Sequence, residues 1–247
     1  MAYEFPVAGT YHAGTFVKTP SVAVVEILGL AGLDFAVLDA EHAPLDRGAL
    51  DLAMVAGRAV SLPLFVRIPD KAAATILSTL DMGAAGLLVP HVDTADDARA
   101  VLAHARYIGG DRGFSNSPRA GRYGQLNMPE TIAEGDSTRV VCQIETAMAV
   151  QNVREIAQVE GIHGLFIGRG DLALSMGLPS PRDPRIDAAV TSIIDAGLAA
   201  GIQVGMFVNG VAERDQFAAR GVTWFVIGSD QALLRQGAAA IARPKAS

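Results

Sequence analysis

The sequence predicts a closed (β/α)₈ barrel, a TIM barrel formed by one domain over residues 1–247. Three observations support it. Short apolar runs alternate with longer Ala-rich amphipathic stretches, which means parallel strands with crossover helices. Eight such units can be counted. The chain has 247 residues, a length that suits eight units closed on themselves better than an open doubly wound sheet.

The units follow in order. His12 to Val17 reads as the first strand and Pro20 to Ala31 as its helix. Asp34 to Leu38 is the second strand, with a helix from Asp46 to Ala59. Pro63 to Arg67 precedes Lys71 to Met82, and Gly86 to Val89 precedes Thr94 to Tyr107. Arg139 to Glu145 is followed by one helix, Thr146 to Val159. Gly164 to Ile167 leads into Asp171 to Met176, a Pro-rich loop and the helix Asp187 to Ala200. Ile202 to Val208 precedes Val211 to Arg220, and Trp224 to Ile227 precedes Gln231 to Ala242. Ile108 to Ser137 is the one irregular segment, rich in Gly, Arg, Pro and Asn. Loops of that length in a compact domain are functional or mobile. The tail, Arg243 to Ser247, is expected to fray.

Composition narrows the function. Half of the residues are hydrophobic and the formal net charge is −6. No basic footprint for nucleic acid exists. The single cysteine, Cys142, excludes an internal disulfide, fits a reducing compartment and reads as a small buried apolar residue. No run is long enough to span a bilayer, and the N-terminus lacks the pattern of a signal peptide. A cytoplasmic protein that binds neither membrane nor nucleic acid is expected.

Chemistry in a barrel sits at the C-terminal ends of the strands. Polar residues there form a short list: Asp39, Glu41 and His42 after strand two, Arg67 on strand three, His91 after strand four, Gln143 and Glu145 on strand five, and Asp171 after strand six. Glu145 and Asp171 end neighbouring parallel strands, about 4.8 Å apart. Both could reach one divalent cation, at about 2.1 Å if it is magnesium. Equally, Asp171 could cap the helix it opens and Glu145 could pair with an arginine. Arg67 on an apolar strand needs an anionic partner, either a ligand or a structural carboxylate. The spacing of Asp39 and His42 allows the carboxylate to orient the imidazole as a general base requires, although a lone histidine is more commonly structural. His91 has no acidic neighbour before Asp93 and ranks lower. Gly168-Arg-Gly-Asp171 is a tight turn whose free N–H groups could hold a carboxylate.

Asp39-Ala-Glu-His-Ala-Pro44, Leu87-Leu-Val-Pro90, Arg112-Gly-Phe114, Gln143-Ile-Glu-Thr146 and Phe166-Ile-Gly-Arg-Gly-Asp-Leu172 together resemble the HpcH/HpaI family of class II pyruvate aldolases. The resemblance runs through nearly the whole chain, in order. It implies reversible cleavage of 4-hydroxy-2-oxo acids to pyruvate, or a close 2-oxo acid such as hydroxypyruvate, and an aldehyde, in the setting of aromatic compound catabolism. It implies Mg²⁺, Mn²⁺ or Co²⁺ on Glu145 and Asp171. Arg67 would stabilise the enolate, Gln143 would position pyruvate, and the N–H groups of Gly170 and Asp171 would bind its carboxylate. Asp39 and His42 would handle protons. The last helix would swap between subunits of a homo-hexamer, a dimer of trimers.

Two departures stand out. Arg169-Gly170 replaces the Pro-Ala of many relatives and adds a cation expected to recruit acidic or polar acceptors. The first strand, His12-Ala-Gly-Thr-Phe-Val-Lys-Thr-Pro20, lacks the Trp some relatives carry. Three other classes compete. A Schiff-base aldolase would need a desolvated lysine, and the only candidate, Lys18, is expected in a solvent-facing loop. A citryl- or malyl-CoA lyase would need basic surface for the CoA phosphates. A non-enzymatic metal-binding barrel would not need so many polar strand ends at once.

Overall fold

The computed structural model describes residues 3–7 and 9–242. Eight parallel strands close in sequence order into a barrel. They are β1 His12–Val17, β2 Phe35–Asp39, β3 Leu64–Arg67, β4 Gly86–Val89, β5 Arg139–Ile144, β6 Gly164–Ile167, β7 Gln203–Val208 and β8 Trp224–Ser229. The expected strands are all present, shifted by no more than two residues at an end. The helices outside are α1 Val22–Leu30, α2 Arg47–Ala59, α3 Ala73–Asp81, α4 Ala95–Ala105, α5 Met128–Asp136, α6 Ala147–Gln151, α7 Val153–Ala157, α8 Arg169–Ser175, α9 Pro184–Ala200, α10 Val211–Ala218 and α11 Asp230–Ile241.

Period-two alternation divides each strand between two cores. Phe35, Val37, Phe65, Leu88, Val141, Phe166, Trp224 and Val226 fill the barrel interior. Ala36, Leu38, Val66, Leu87, Cys142 and Leu165 face the helices. The lower interior is aromatic. Phe35 stacks on Trp224 with centroids 4.4 Å apart. Gly14 makes room for that ring, since a Cβ there would stand 2.7 Å from the Phe35 side chain. Bulk at one end of the bore leaves the other end, where the strands finish, for polar groups.

Two expectations fail locally. The helix expected from Thr146 to Val159 is two short ones, α6 and α7, separated at Asn152. Asn152 turns its side-chain amide to the Asp93 carbonyl at 2.8 Å, which ties the break to the loop after β4. The segment from Ile108 to Ser137, expected to be irregular, contains a 3₁₀ turn at Arg119–Gly124 and the helix α5. Asn127 and Glu130 cap α5 reciprocally, a signature present in the sequence and overlooked there. The tail, 243–247, and the lysine in it lie outside the described residues.

Candidate active site

β2 and β3 pair in a register that sets Asp39 beside Arg67. Both point into the bore, because Phe35, Val37 and Asp39 share one face and Phe65 and Arg67 another. Asp39 is fully buried and Arg67 is 6 % exposed. Arg67 donates Nε–H to Asp39 Oδ1 at 3.0 Å and Nη2–H to Oδ2 at 2.7 Å. Lys18 Nζ stands 3.0 Å from the same Oδ2. The main-chain N–H of His42 donates to Oδ1 at 3.1 Å. Burial alone would push the Asp39 carboxyl up. Hydrogen bonds and charge from Arg67, with those from Lys18 and His42 N–H, outweigh it and hold Asp39 below the ordinary carboxylate value.

The pairing expected between the Asp39 carboxylate and the His42 ring therefore does not form. Asp39 is occupied by Arg67, Lys18 and a backbone N–H. The His42 ring is half exposed, and its Nε2 lies 3.5 Å from Glu41 Oε2. The reason is local. His42 lies in the turn that begins at Ala40 after β2, so its N–H, not its side chain, faces back to Asp39.

Lys18 is also not where the sequence reading put it. It continues the inward face of Gly14 and Phe16, and it lines the cavity at the barrel mouth. The buried Asp230 fixes this rim by accepting the N–H groups of Lys18 at 2.9 Å and Thr19 at 3.0 Å. The periodicity of β1 was the available signal.

Gln143, on the inward face of β5, and Glu145, just past its end, are each 2 % exposed. Gln143 donates its side-chain N–H to Glu145 Oε2. Gln143 Oε1 is buried with no hydrogen-bond partner among the described residues. Glu145 Oε1 accepts the main-chain N–H of His91 at 2.8 Å. Burial raises the Glu145 carboxyl, and the Asp171 charge adds to this against the hydrogen bonds from His91 and Gln143. Gly168 follows β6 and leaves open the space beside Glu145. A Cβ there would meet Glu145 Cβ at 2.9 Å and Glu145 Oε2 at 3.1 Å. Asp171 stands in the first turn of α8, exposed on the cavity wall.

Two residues of the strand-end list without an expected role, His91 and Glu41, belong to this cluster. His91 places Nδ1 3.1 Å from Glu145 Oε1 and Nε2 3.2 Å from Glu41 Oε1. Glu41 Oε2 lies 3.3 Å from Arg67 Nε. The cavity holds about 400 Å³ and is lined by Lys18, Arg67, Gln143, Gly168, Gly170 and Asp171 on one side. Phe207, Asn209 and Arg182 line it elsewhere. Arg169 is not a free cation. Its Nη2 lies 2.7 Å from Glu213 and donates to the Phe207 carbonyl at 3.1 Å. No group of three or more His, Cys, Asp or Glu side chains among the described residues forms a ready metal cluster.

Comparison with known proteins places the chain in a family. The HpcH/HpaI aldolase/citrate lyase family matches residues 12–237. A protein of Rhodococcus jostii named 4-hydroxy-2-oxovalerate aldolase is 38% identical over 221 residues, covering 88% of this chain and 84% of that one. A 5-keto-4-deoxy-D-glucarate aldolase of Salmonella arizonae is 34% identical, covering 91% and 88%. A crystal structure of an HpcH/HpaI aldolase/citrate lyase family protein from Burkholderia cenocepacia superposes with a TM-score of 0.89 at 30% identity, covering 94% and 93%. The chain belongs to the HpcH/HpaI aldolase/citrate lyase family and is a carbon–carbon lyase.

Proposed function

We propose that the protein cleaves 4-hydroxy-2-oxo acids reversibly to pyruvate, or a close 2-oxo acid, and an aldehyde, with a divalent cation held by Glu145 and Asp171. The observation that carries the reading is the meeting of Asp39, Arg67, Gln143 and Glu145 at one end of the bore, beside the cavity on which Asp171 stands. The residues fit a cation of the Mg²⁺, Mn²⁺ or Co²⁺ type. Their donors are oxygens, as such ions prefer. Gln143 Oε1 is an unused buried acceptor, and Gly168 keeps the space beside Glu145 Oε2 clear. When bound, the cation would supply a Lewis acid that favours negative charge on the 2-oxo acid.

The chain's own groups do the rest. Arg67 is clamped by Asp39 and has no rotamer freedom left to lose, so its guanidinium is a fixed positive charge for the developing enolate oxygen. Gln143 and the N–H groups of Gly170 and Asp171 position the 2-oxo acid. His42 stands at the mouth and handles the proton of the 4-hydroxyl, next to Glu41 rather than Asp39. Arg169 is spent on Glu213, so the cavity cation left for a polar or acidic aldehyde tail is Arg182. The face of α11 supports assembly into an oligomer. Leu233 is 48% exposed and Leu234 75%, on a helix whose one buried residue is Asp230.

Asp171→Ala tests the reading, with pyruvate release from a 4-hydroxy-2-oxo acid as the assay. Chelation should stop wild-type turnover and Mn²⁺, Mg²⁺ or Co²⁺ should restore it, whereas the variant should stay folded and inactive. Full turnover in chelator would overturn the proposal. The placement of Lys18 in the cavity favours one second reading, a Schiff base with pyruvate. Lys18 Nζ is engaged by the Asp39 carboxylate at 3.0 Å, which speaks against its attack on a carbonyl. Borohydride with pyruvate should leave activity intact.

A further inference from the structure

Glu145 divides its two oxygens between different neighbours. Oε1 faces the end of β4, where it meets both the N–H and the Nδ1 of His91. Oε2 faces β5 and β6, where it meets Gln143 and the open side of Gly168. A carboxylate oxygen has two lone-pair sites. Oε1 accepts the His91 N–H and has the ring Nδ1 3.1 Å away, while Oε2 accepts only from Gln143. The cavity and the first turn of α8, with Asp171, lie on the Oε2 side.

His91 occupies its place at a cost. Its φ is +54°, in the left-handed region that a non-glycine residue rarely adopts. Such conformations persist where the surroundings hold them, and they gather at functional positions. Here the turn aims both the N–H and the ring at one oxygen. The far side of the ring, Nε2, is tethered to Glu41 Oε1 at 3.2 Å. Glu41 Oε2 lies 3.3 Å from Arg67 Nε and 3.5 Å from His42 Nε2, and accepts no hydrogen bond among the described residues. The imidazole thus stands between the Glu41 and Glu145 carboxylates, at the ends of β2 and β5.

We propose that His91 is a positioning residue that fixes the rotation of the Glu145 carboxylate, so that Oε2 alone is presented to a divalent cation. The inference rests on the cation site proposed above and adds to it the residue that orients one of its ligands. Groups that hydrogen-bond a metal ligand commonly govern affinity by about 10- to 100-fold.

The test is Mn²⁺ binding to the full-length protein, measured by calorimetry without substrate. His91→Gly is the first variant. Glycine takes a positive φ freely, so the turn and its N–H to Glu145 survive while the ring is lost. His91→Asn accepts the same backbone and restores a donor of shorter reach. Mn²⁺ affinity should fall about 10-fold or more in H91G and recover in part in H91N. His91→Phe keeps ring bulk without nitrogens and should match H91G, which covers the case where the glycine variant does not fold. Equal or tighter binding in H91G and H91F overturns the assignment of His91 while leaving the cation site intact. No Mn²⁺ binding by the wild type overturns the cation site, and the role of His91 with it.

Discussion

Replacing Asp39 by Asn should cost stability first and activity as a consequence. Asp39 is fully buried and faces two cations, the bidentate Arg67 and Lys18. Asparagine keeps the shape and removes the charge. Its amide N–H groups would then point at Arg67 or Lys18, donor against donor. Breaking one side of a buried ion pair costs about 3–5 kcal/mol, because the remaining charge stays buried without compensation. Glu41, 3.3 Å from Arg67 Nε, offsets part of this and places the expected loss near the lower end. The assay is urea unfolding at fixed protomer concentration, so that assembly does not shift the midpoint. The partner variant is Arg67→Met. Because the two residues share one interaction, the double variant should be about as stable as the worse single variant, with a coupling energy of about 3 kcal/mol. The same design applied to kcat/KM separates Asp39 from His42. The losses of D39N and H42A should multiply, since the carboxylate and the imidazole do not meet. A D39N protein within about 1 kcal/mol of wild type, or stability losses that add with R67M, would refute the ion-pair argument. Losses in kcat/KM that fail to multiply would restore a joint Asp39–His42 unit.

Other perturbations follow from single distances. Gly168→Ala puts a methyl 2.9 Å from Glu145 Cβ and 3.1 Å from Gln143 Nε2, so it should displace the carboxylate and depress both Mn²⁺ affinity and turnover; unchanged values of both would contradict the packing. His163 is a pH-sensitive point in the fold, because burial first, then Arg139 and Arg106, lower its pKa from 6.5 to about 4. The unfolded chain binds this proton first on acidification, so the stability it contributes is complete above pH 6.5 and is lost as the pH falls toward 4. His163→Gln should flatten that part of the stability–pH curve, measured by urea unfolding between those values, and an unchanged slope would refute the assignment.

The barrel was legible because its two periods are legible. Strands alternate every second residue and helices follow with Ala-rich faces, and each strand appears within two residues of its expected ends. What stayed hidden was punctuation by side chains from elsewhere. The break between α6 and α7 depends on Asn152 reaching the Asp93 carbonyl, which sits some sixty residues away in sequence. No local pattern carries that information. The helix α5 is the opposite case, since Asn127 and Glu130 announce it three residues apart and the surrounding glycines and prolines obscured it.

The site was legible as a list of strand ends but not as a set of pairs. Asp39 and His42 are close in sequence, and closeness suggested a carboxylate–imidazole unit. The barrel pairs across strands instead, and Asp39 meets Arg67 because β2 and β3 are in register there. Once Arg67, Lys18 and the His42 N–H occupy both carboxylate oxygens, no acceptor site remains for a ring three residues on. The consequence reaches the proton chemistry. A carboxylate held below its ordinary value by two cations is a poor base, so Asp39 acts by fixing Arg67 and Lys18. The proton work is left to groups at the mouth. Glu41 is the carboxylate that touches both histidines, with His42 at 3.5 Å and His91 at 3.2 Å. It therefore couples the residue proposed to move the proton to the residue proposed to orient Glu145. Sequence spacing gave no reason to choose Glu41 over Asp39. The alternation along β2 did, since the inward-facing Asp39 is committed to the bore, and Glu41, two residues on, is the next residue on that face.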